Sequence, residues 1–220
     1  WVSARRRAPA APPQQCEEAA VGDSLMPWAA PPERVVSSEI ILVWYDGSHD
    51  AQGLGAASTI SLAVRRDQGG TSMVLCKLQT YWAGSATPQC AEYLGLLLGL
   101  EAVLENPQCL EGRRLVIWGD SKPVQRQLGD RLPPTGGNDH LLPLMELGRR
   151  LIDRVEKFAS GPTEVSKVDR ARIGVEDRRA RAALRTKAPQ FIASQHSEIA
   201  EALGKAEGMV KMRLQRTPCV

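Results

Sequence analysis

The sequence predicts an α/β fold: a mixed five-stranded sheet in which three antiparallel strands precede parallel βα units, with helices on both faces. Three observations predict it. Three β-rich segments follow one another at hairpin spacing between residues 40 and 81. A long apolar stretch with a helical start signal comes directly after them. Short apolar runs then alternate with helical patterns as far as residue 187.

Ile40-Ile41-Leu42-Val43-Trp44-Tyr45 is rich in β-branched and aromatic side chains, the signature of a buried strand. Ala57 to Arg66 alternates loosely and makes the second strand, Gln68-Gly69-Gly70 a turn, and Ser72 to Tyr81 the third strand. In the third, Met73, Leu75 and Lys77 take one face and Val74, Cys76 and Leu78 the other. Thr87-Pro88 opens a helix, with Thr as cap and Pro at the first helical position. Gln89 to Glu105 is apolar nearly all round, so this helix is buried. Gly95 and Gly99 stand on one stripe; each costs about 1 kcal/mol in a helix interior, so something packs closely there. Arg114 to Trp118 is a fourth strand, and Ser121 to Leu132 a short helix stopped by Pro133-Pro134. Leu141 to Phe158 is helical, with Leu144, Leu147, Leu151 and Val155 on one stripe, and Thr163 to Val168 is a fifth strand. Residues 174–187 read as a basic helix.

Three segments follow. Residues 1–37, rich in Ala, Pro and Arg and without either period, read as a disordered arm. Its Arg5-Arg6-Arg7 reads as a solvated tail, with nucleic-acid contact or a transit remnant as alternatives. Residues 38–187 form the domain, and 188–220 an amphipathic extension carrying Ile199, Leu203, Ala206 and Val210. The sequence begins at Trp1 rather than Met, so the native N-terminus is left open.

Composition narrows the classes. Apolar residues make up 43% and charged residues 24%, which excludes a wholly disordered or collagenous chain. The longest apolar run, 94–100, is far short of the roughly 20 residues of a membrane span, so no membrane partner is expected. A domain of this size buries a core unaided, which predicts a monomer. The five cysteines include no C-x-x-C pair, against a disulfide scaffold or zinc ribbon. They point to an intracellular reducing compartment, cytoplasm or nucleus, with Cys76 and Cys90 as buried thiols. His49, His140 and His196 are too dispersed for a metal cluster.

Four acids take special places. Asp46 ends the first strand, Glu92 lies in the first turn of the buried helix, Asp120 follows the fourth strand, and Asp177 is near the start of the basic helix. Each has an ordinary reading: a turn at Asp46-Gly47, a favoured helix N-terminus for Glu92, a cap at Asp120-Ser121, a surface pair of Asp177 with Arg178 or Arg181. Their joint placement says more. If strands one and four are neighbours, Asp46 and Asp120 meet at the middle of the sheet. Converging carboxylates repel unless a cation sits among them, and hard oxygen ligands select Mg2+ or Mn2+. Two such ions about 4 Å apart suit water activation on a phosphodiester.

In order along the chain stand Val43-Trp44-Tyr45-Asp46-Gly47-Ser48, Thr87-Pro88-Gln89-Cys90-Ala91-Glu92-Tyr93, Trp118-Gly119-Asp120-Ser121 with Val124, and Val168-Asp169-Arg170 through Glu176-Asp177. The ordered set, spanning residues 38–186, resembles type 1 ribonuclease H, whose blocks run D-G-S, T-N-N-x-A-E-Y, T-D-S-x-x-V and V-P-R-x-x-N-x-x-A-D. The resemblance implies a ribonuclease H-like fold, from a stand-alone enzyme or a retroelement. It implies two Mg2+ or Mn2+ ions and cleavage of the RNA strand of an RNA–DNA hybrid, leaving 5′-phosphate and 3′-hydroxyl ends. By the same resemblance Asp46 would bridge both ions, Glu92 and Asp120 would hold one, and Asp177 the other. Glu92 and the backbone near Gly47, Ser48, Gln89 and Cys90 would read the 2′-hydroxyl that separates RNA from DNA.

This chain departs from the pattern at named places. Pro88-Gln89 replaces the paired Asn, Gly119 precedes Asp120 where Thr or Ser is usual, Asp169 replaces Pro, Ile173 replaces Asn, and Lys167 stands where many relatives have His. These changes motivate an alternative, a nucleic-acid-binding module with little or no catalysis; a related nuclease acting on DNA is a third. Residues 165–187 carry Lys167, Arg170, Arg172, Arg178, Arg179, Arg181, Arg185 and Lys187 against Asp169, Glu176 and Asp177. That is a local charge of +5, against +3 for the whole chain, and it suits phosphate. Lys167 and Arg170 are the candidate phosphate contacts.

Overall fold

The computed structural model describes residues 39–52, 55–66, 72–84 and 87–216. The expected arm of residues 1–37, the Gln68-Gly69-Gly70 turn, Cys16 and Cys219 lie outside them. Five strands form one sheet: β1 (Glu39–His49), β2 (Ala56–Arg66), β3 (Met73–Trp82), β4 (Arg114–Gly119) and β5 (Glu164–Lys167), in the order β3-β2-β1-β4-β5. β2 is antiparallel to β1 and to β3, whereas β4 is parallel to β1 and β5 to β4. This is the mixed sheet that the sequence predicts.

The helices are α1 (Pro88–Glu105), α2 (Lys122–Val124), α3 (Leu142–Val155), α4 (Gly174–Thr186) and α5 (Ser197–Arg216). Strand alternation assigns the two faces. Ile60 and Leu62 of β2 belong to the core built with α1, whereas Thr59 and Ser61, which alternate with them, bond to Glu176 of α4. α1 packs on β1 and β2, α3 on α1, and α5 on α3, while α4 covers β1, β2 and β3 from the other side.

α1 forms as expected. The Thr87 hydroxyl accepts from the Cys90 N–H, and Pro88 opens the first turn. His140, buried, places its Nε2 3.2 Å from the same hydroxyl, so this histidine serves the cap. Both helix glycines meet the sheet: an added Cβ would stand 2.7 Å from Val43 Cγ1 at Gly99 and 3.2 Å from the Asp46 carbonyl oxygen at Gly95.

Several expectations change. β1 does not end at Asp46 but continues to His49, because Asp46, Gly47, Ser48 and His49 pair with Thr59, Ser58, Ala57 and Ala56. Glu92 opens the second turn of α1 rather than sitting in the first, since the helix begins at Pro88. The helix expected over 121–132 is one α-turn followed by a π-helical turn, Gln125–Gly129, in which Asp130 N bonds to Gln125 O. The wider turn lays Gly129 against the Val165 carbonyl, where a Cβ would come within 2.9 Å. A 3₁₀ turn, Asp139–Leu141, precedes α3, which stops at Val155, before Phe158. Cys90 is buried, but Cys76 is only half-buried, because β3 is an edge strand. Among the described residues Met73, Val74, Leu75 and Leu78 of that strand are exposed. The amphipathic stretch after Pro189 docks: Ile199, Ala202, Leu203 and Ala206 join the same core as α1 and α3.

Candidate active site

The site grows from the ends of two parallel strands. β1 and β4 pair only as far as Trp44 opposite Trp118. Two residues further along each stand Asp46 and Asp120, so the carboxylates emerge where the two strands part. β1 is the strand at which the connection pattern switches, with an antiparallel neighbour on one side and a parallel one on the other. The carboxyl ends of strands at such a point are where open α/β sheets place their ligands.

Gly47 brings in the third acid. A Cβ there would run into the backbone of Ala91 and Glu92, so only glycine lets β1 touch the start of α1. Glu92 is thereby held beside Asp46. One carboxylate oxygen each from Asp46, Glu92 and Asp120 lie within 4.8 Å of one another. Asp46 is 0% exposed. Neither of its oxygens, nor Glu92 Oε2, accepts a hydrogen bond of ordinary geometry from the described residues.

Electrostatics follow from that crowding. Burial pushes the Asp46 carboxyl up to about 7, and the charges of Asp120 and Asp177 add to the push. Burial raises Glu92 well above the usual carboxylate range, with Asp46 and Asp120 contributing in the same sense. Buried, unpartnered carboxylate oxygens facing one another are costly in an apolar surround and favourable around a divalent cation. The donor set is all oxygen, which fits Mg2+ or Mn2+ rather than a soft metal.

Asp177 stands differently. It lies in the first turn of α4, and its Oδ1 accepts from Arg170 Nη2 at 3.2 Å and Arg181 Nε at 3.1 Å. Of the two surface partners weighed from sequence, Arg181 is the one that pairs with it. Arg170 also reaches Asp120 Oδ2, at 3.4 Å from its Nε. Asp177 is close enough to raise the carboxyls of Asp46 and Glu92 but is outside the three-acid group.

The remaining candidates are spread around this centre. Ser48 and Gln89 are half-buried at the β1 end and the α1 start. The Cys90 side chain is buried and takes the Thr87 hydroxyl at 3.2 Å, and its N–H donates to the same hydroxyl, so both are engaged in the helix cap. Lys167 is exposed at the end of β5, opposite Gly119. The basic helix is less free than its charge suggests. Arg179 donates to the carbonyls of Ile60 and Leu78, and Glu176 is buried and accepts from Ser61 at 2.7 Å, so both residues fasten α4 to the sheet.

Sequence reasoning missed three features. Glu176 falls on the sheet-facing side of α4, at a spacing from Ala180 and Ala183 that could have revealed it. Tyr45 and Gly119 exchange bulk: a Cβ on Gly119 would clash with the Tyr45 ring, which explains why no Thr or Ser precedes Asp120. Trp44 and Trp118 meet edge to face at 6.1 Å, with Arg65 and Arg172 guanidinium groups 5.3 and 5.8 Å from the Trp118 ring. Only the long-range register could have foretold that cluster.

Comparison with known proteins places this arrangement. A family model described as reverse transcriptase-like matches residues 45–161, just over half of the chain. The match takes in Asp46, Glu92 and Asp120 and stops short of Asp177. No curated protein matches the sequence. Among solved structures, the N-terminal RNase H domain of a Mycobacterium tuberculosis protein, fused to maltose-binding protein, is similar at 25% identity and a TM-score of 0.52. That likeness covers 69% of this chain and 97% of the other. LC11-RNase H1, isolated from compost by a metagenomic approach, is similar at 18% identity and a TM-score of 0.51, over 68% of this chain and 99% of its own. The same protein in complex with an RNA/DNA hybrid aligns at 16% identity, a TM-score of 0.50 and the same two coverages. Sheet order, helix placement and the matched segment agree, and the chain belongs to the reverse transcriptase-like family, with a ribonuclease H-like fold.

Proposed function

We propose that this protein is a metal-dependent endonuclease that hydrolyses the RNA strand of RNA–DNA hybrids, leaving 5′-phosphate and 3′-hydroxyl ends. One observation carries the reading: one oxygen each of three carboxylates lies within 4.8 Å of the others at the strand ends of a ribonuclease H-like fold, and among the described residues none gives the buried oxygens of Asp46 or Glu92 Oε2 a hydrogen bond of ordinary geometry. Asp46 would lie between two divalent ions, Mg2+ or Mn2+, with Glu92 and Asp120 on one and Asp177 on the other. The chemistry such ions supply when bound is activation of a water and neutralisation of charge on the departing oxygen. The chain's own residues do the rest. Glu92 and the backbone around Gly47, Ser48, Gln89 and Cys90 would read the ribose 2′-hydroxyl. Lys167 and Arg170 would hold phosphates and fix the strand's position.

A second reading has an observation of its own. Asp177 is already held by Arg170 and Arg181, as a protein that binds hybrid without cutting it would tolerate. One assay separates the two. A labelled RNA–DNA hybrid is incubated with Mg2+ or Mn2+ beside duplex DNA, duplex RNA and the Asp46→Asn variant. The nuclease reading expects cutting of the hybrid's RNA strand only, reduced to background in the variant. Binding without cutting by the wild type would support the second reading, and cutting that survives Asp46→Asn would refute the assigned site.

A further inference from the structure

The four acids divide into two kinds. Asp46, Glu92 and Asp120 share one space, and among the described residues none gives the buried Asp46 oxygens a hydrogen bond of ordinary geometry. Asp177 is already countered, because its Oδ1 takes both Arg170 and Arg181. Among the described residues Arg170 spans the two groups, with Nε 3.4 Å from Asp120 Oδ2 and Nη2 3.2 Å from Asp177 Oδ1. Its guanidinium therefore fills the gap between the acid that closes the three-carboxylate cluster and the acid that stands outside it.

Three further facts bear on what Arg170 does there. Its side chain is 61% exposed, while the two acids are mostly covered, so the guanidinium lies at the mouth of the site. Ion pairs this open are worth little each, and the group leaves readily. The turn that bears it, Arg170–Ile173, is fixed by the buried Ile173 rather than by Arg170. Finally, the guanidinium touches carboxylates on both sides, Asp120 and Asp177, so one cation serves two acids. A guanidinium forms its best pairs with phosphate, bidentate and charge-assisted.

We propose, on the nuclease reading above, that Arg170 is the resting counter-ion of the Asp120–Asp177 side of the site, which a second divalent cation must displace and which an incoming strand's phosphate draws away. Arg170 is thus a positioning residue with two stations, carboxylates in the free protein and phosphate in the complex. Second-ion binding and hybrid binding are coupled through this one side chain, each favouring the other.

The test is Mn2+ binding to the full chain, followed by calorimetry and by the electron paramagnetic resonance of free Mn2+, for wild type, Arg170→Gln and Arg181→Gln. Arg170→Gln should leave the first ion's affinity nearly unchanged and tighten the second by up to about tenfold, the size expected for removing two open ion pairs. Arg181→Gln, which leaves the bridge to Asp120 in place, should tighten it less. Unchanged thermal melting of the metal-free variants would show that the fold is intact, and Arg170→Lys should fall between wild type and Arg170→Gln. Equal second-ion affinity in wild type and Arg170→Gln, or weaker binding in the variant, overturns this inference alone. No Mn2+ bound by either protein overturns it together with the nuclease reading.

Discussion

At the scale of single residues, Asp46 is held in an expensive state, and the cost has a measurable sign. Its carboxyl is raised from an ordinary 3.8 to about 7 by burial and by the charges of Asp120 and Asp177. An acid with a raised pKa binds more protons in the folded than in the unfolded protein between those two values. Its favourable contribution is therefore complete below about pH 4 and is lost as pH rises through 7. In the presence of a chelator, Asp46→Asn should match wild type in melting temperature near pH 4. It should exceed wild type increasingly up to pH 7 and hold a constant advantage above. Melting curves of both proteins across that range check the expectation, and a difference that does not grow with pH would contradict the burial assigned to Asp46. The surrounding residues show why so costly a group stays in place. Gly47 and Gly95 let the backbone of α1 close on β1, and the bulk of Tyr45 is matched by the missing side chain of Gly119.

At the scale of elements, α5 shows how much of the domain lies outside the blocks that identify it. Its apolar stripe enters the main core, with Ile199 and Leu203 fully covered by α3 and α1. His196, just before α5, pairs with Glu101 of α1 at 2.6 Å, and Phe191 stacks on its ring. Leu203→Ala should cost about 2–5 kcal/mol of unfolding free energy in a denaturant titration. A loss below 0.5 kcal/mol would mean that α5 is an appendage. The sequence made the elements legible where the pattern is local. Thr87-Pro88 marks the start of α1, and the β-branched run marks β1. It did not reveal where Asp46 sits within β1, because that depends on pairing with Thr59 across the hairpin. The π turn after α2 was equally hidden, since its cause is the contact of Gly129 with Val165. Three of the four acids were legible as one site. The fourth was legible by position, but its capture by Arg170 and Arg181 depends on how the turn after β5 folds against α4.

At the scale of the whole molecule, the site ties together segments that are distant in sequence. Asp46 comes from β1, Glu92 from α1 and Asp120 from the end of β4, so the cluster exists only when sheet and helix have assembled. An ion that needs all three carboxylates binds the folded chain and not the unfolded one, and its binding free energy adds to global stability. At a hundred times its dissociation constant that contribution is about 2.7 kcal/mol. For a domain of this size it corresponds to a rise in melting temperature of about 5–10 °C. Mn2+ should therefore raise the melting temperature of the wild type, a chelator should reverse the rise, and Asp46→Asn should abolish it while folding normally. Ca2+, which also takes oxygen ligands, should stabilise less if the gap is as narrow as the three carboxylates make it. A melting temperature indifferent to every divalent ion would mean that no such ion relieves the repulsion among Asp46, Glu92 and Asp120. The burial of Asp46 would then have to be explained by protonation alone.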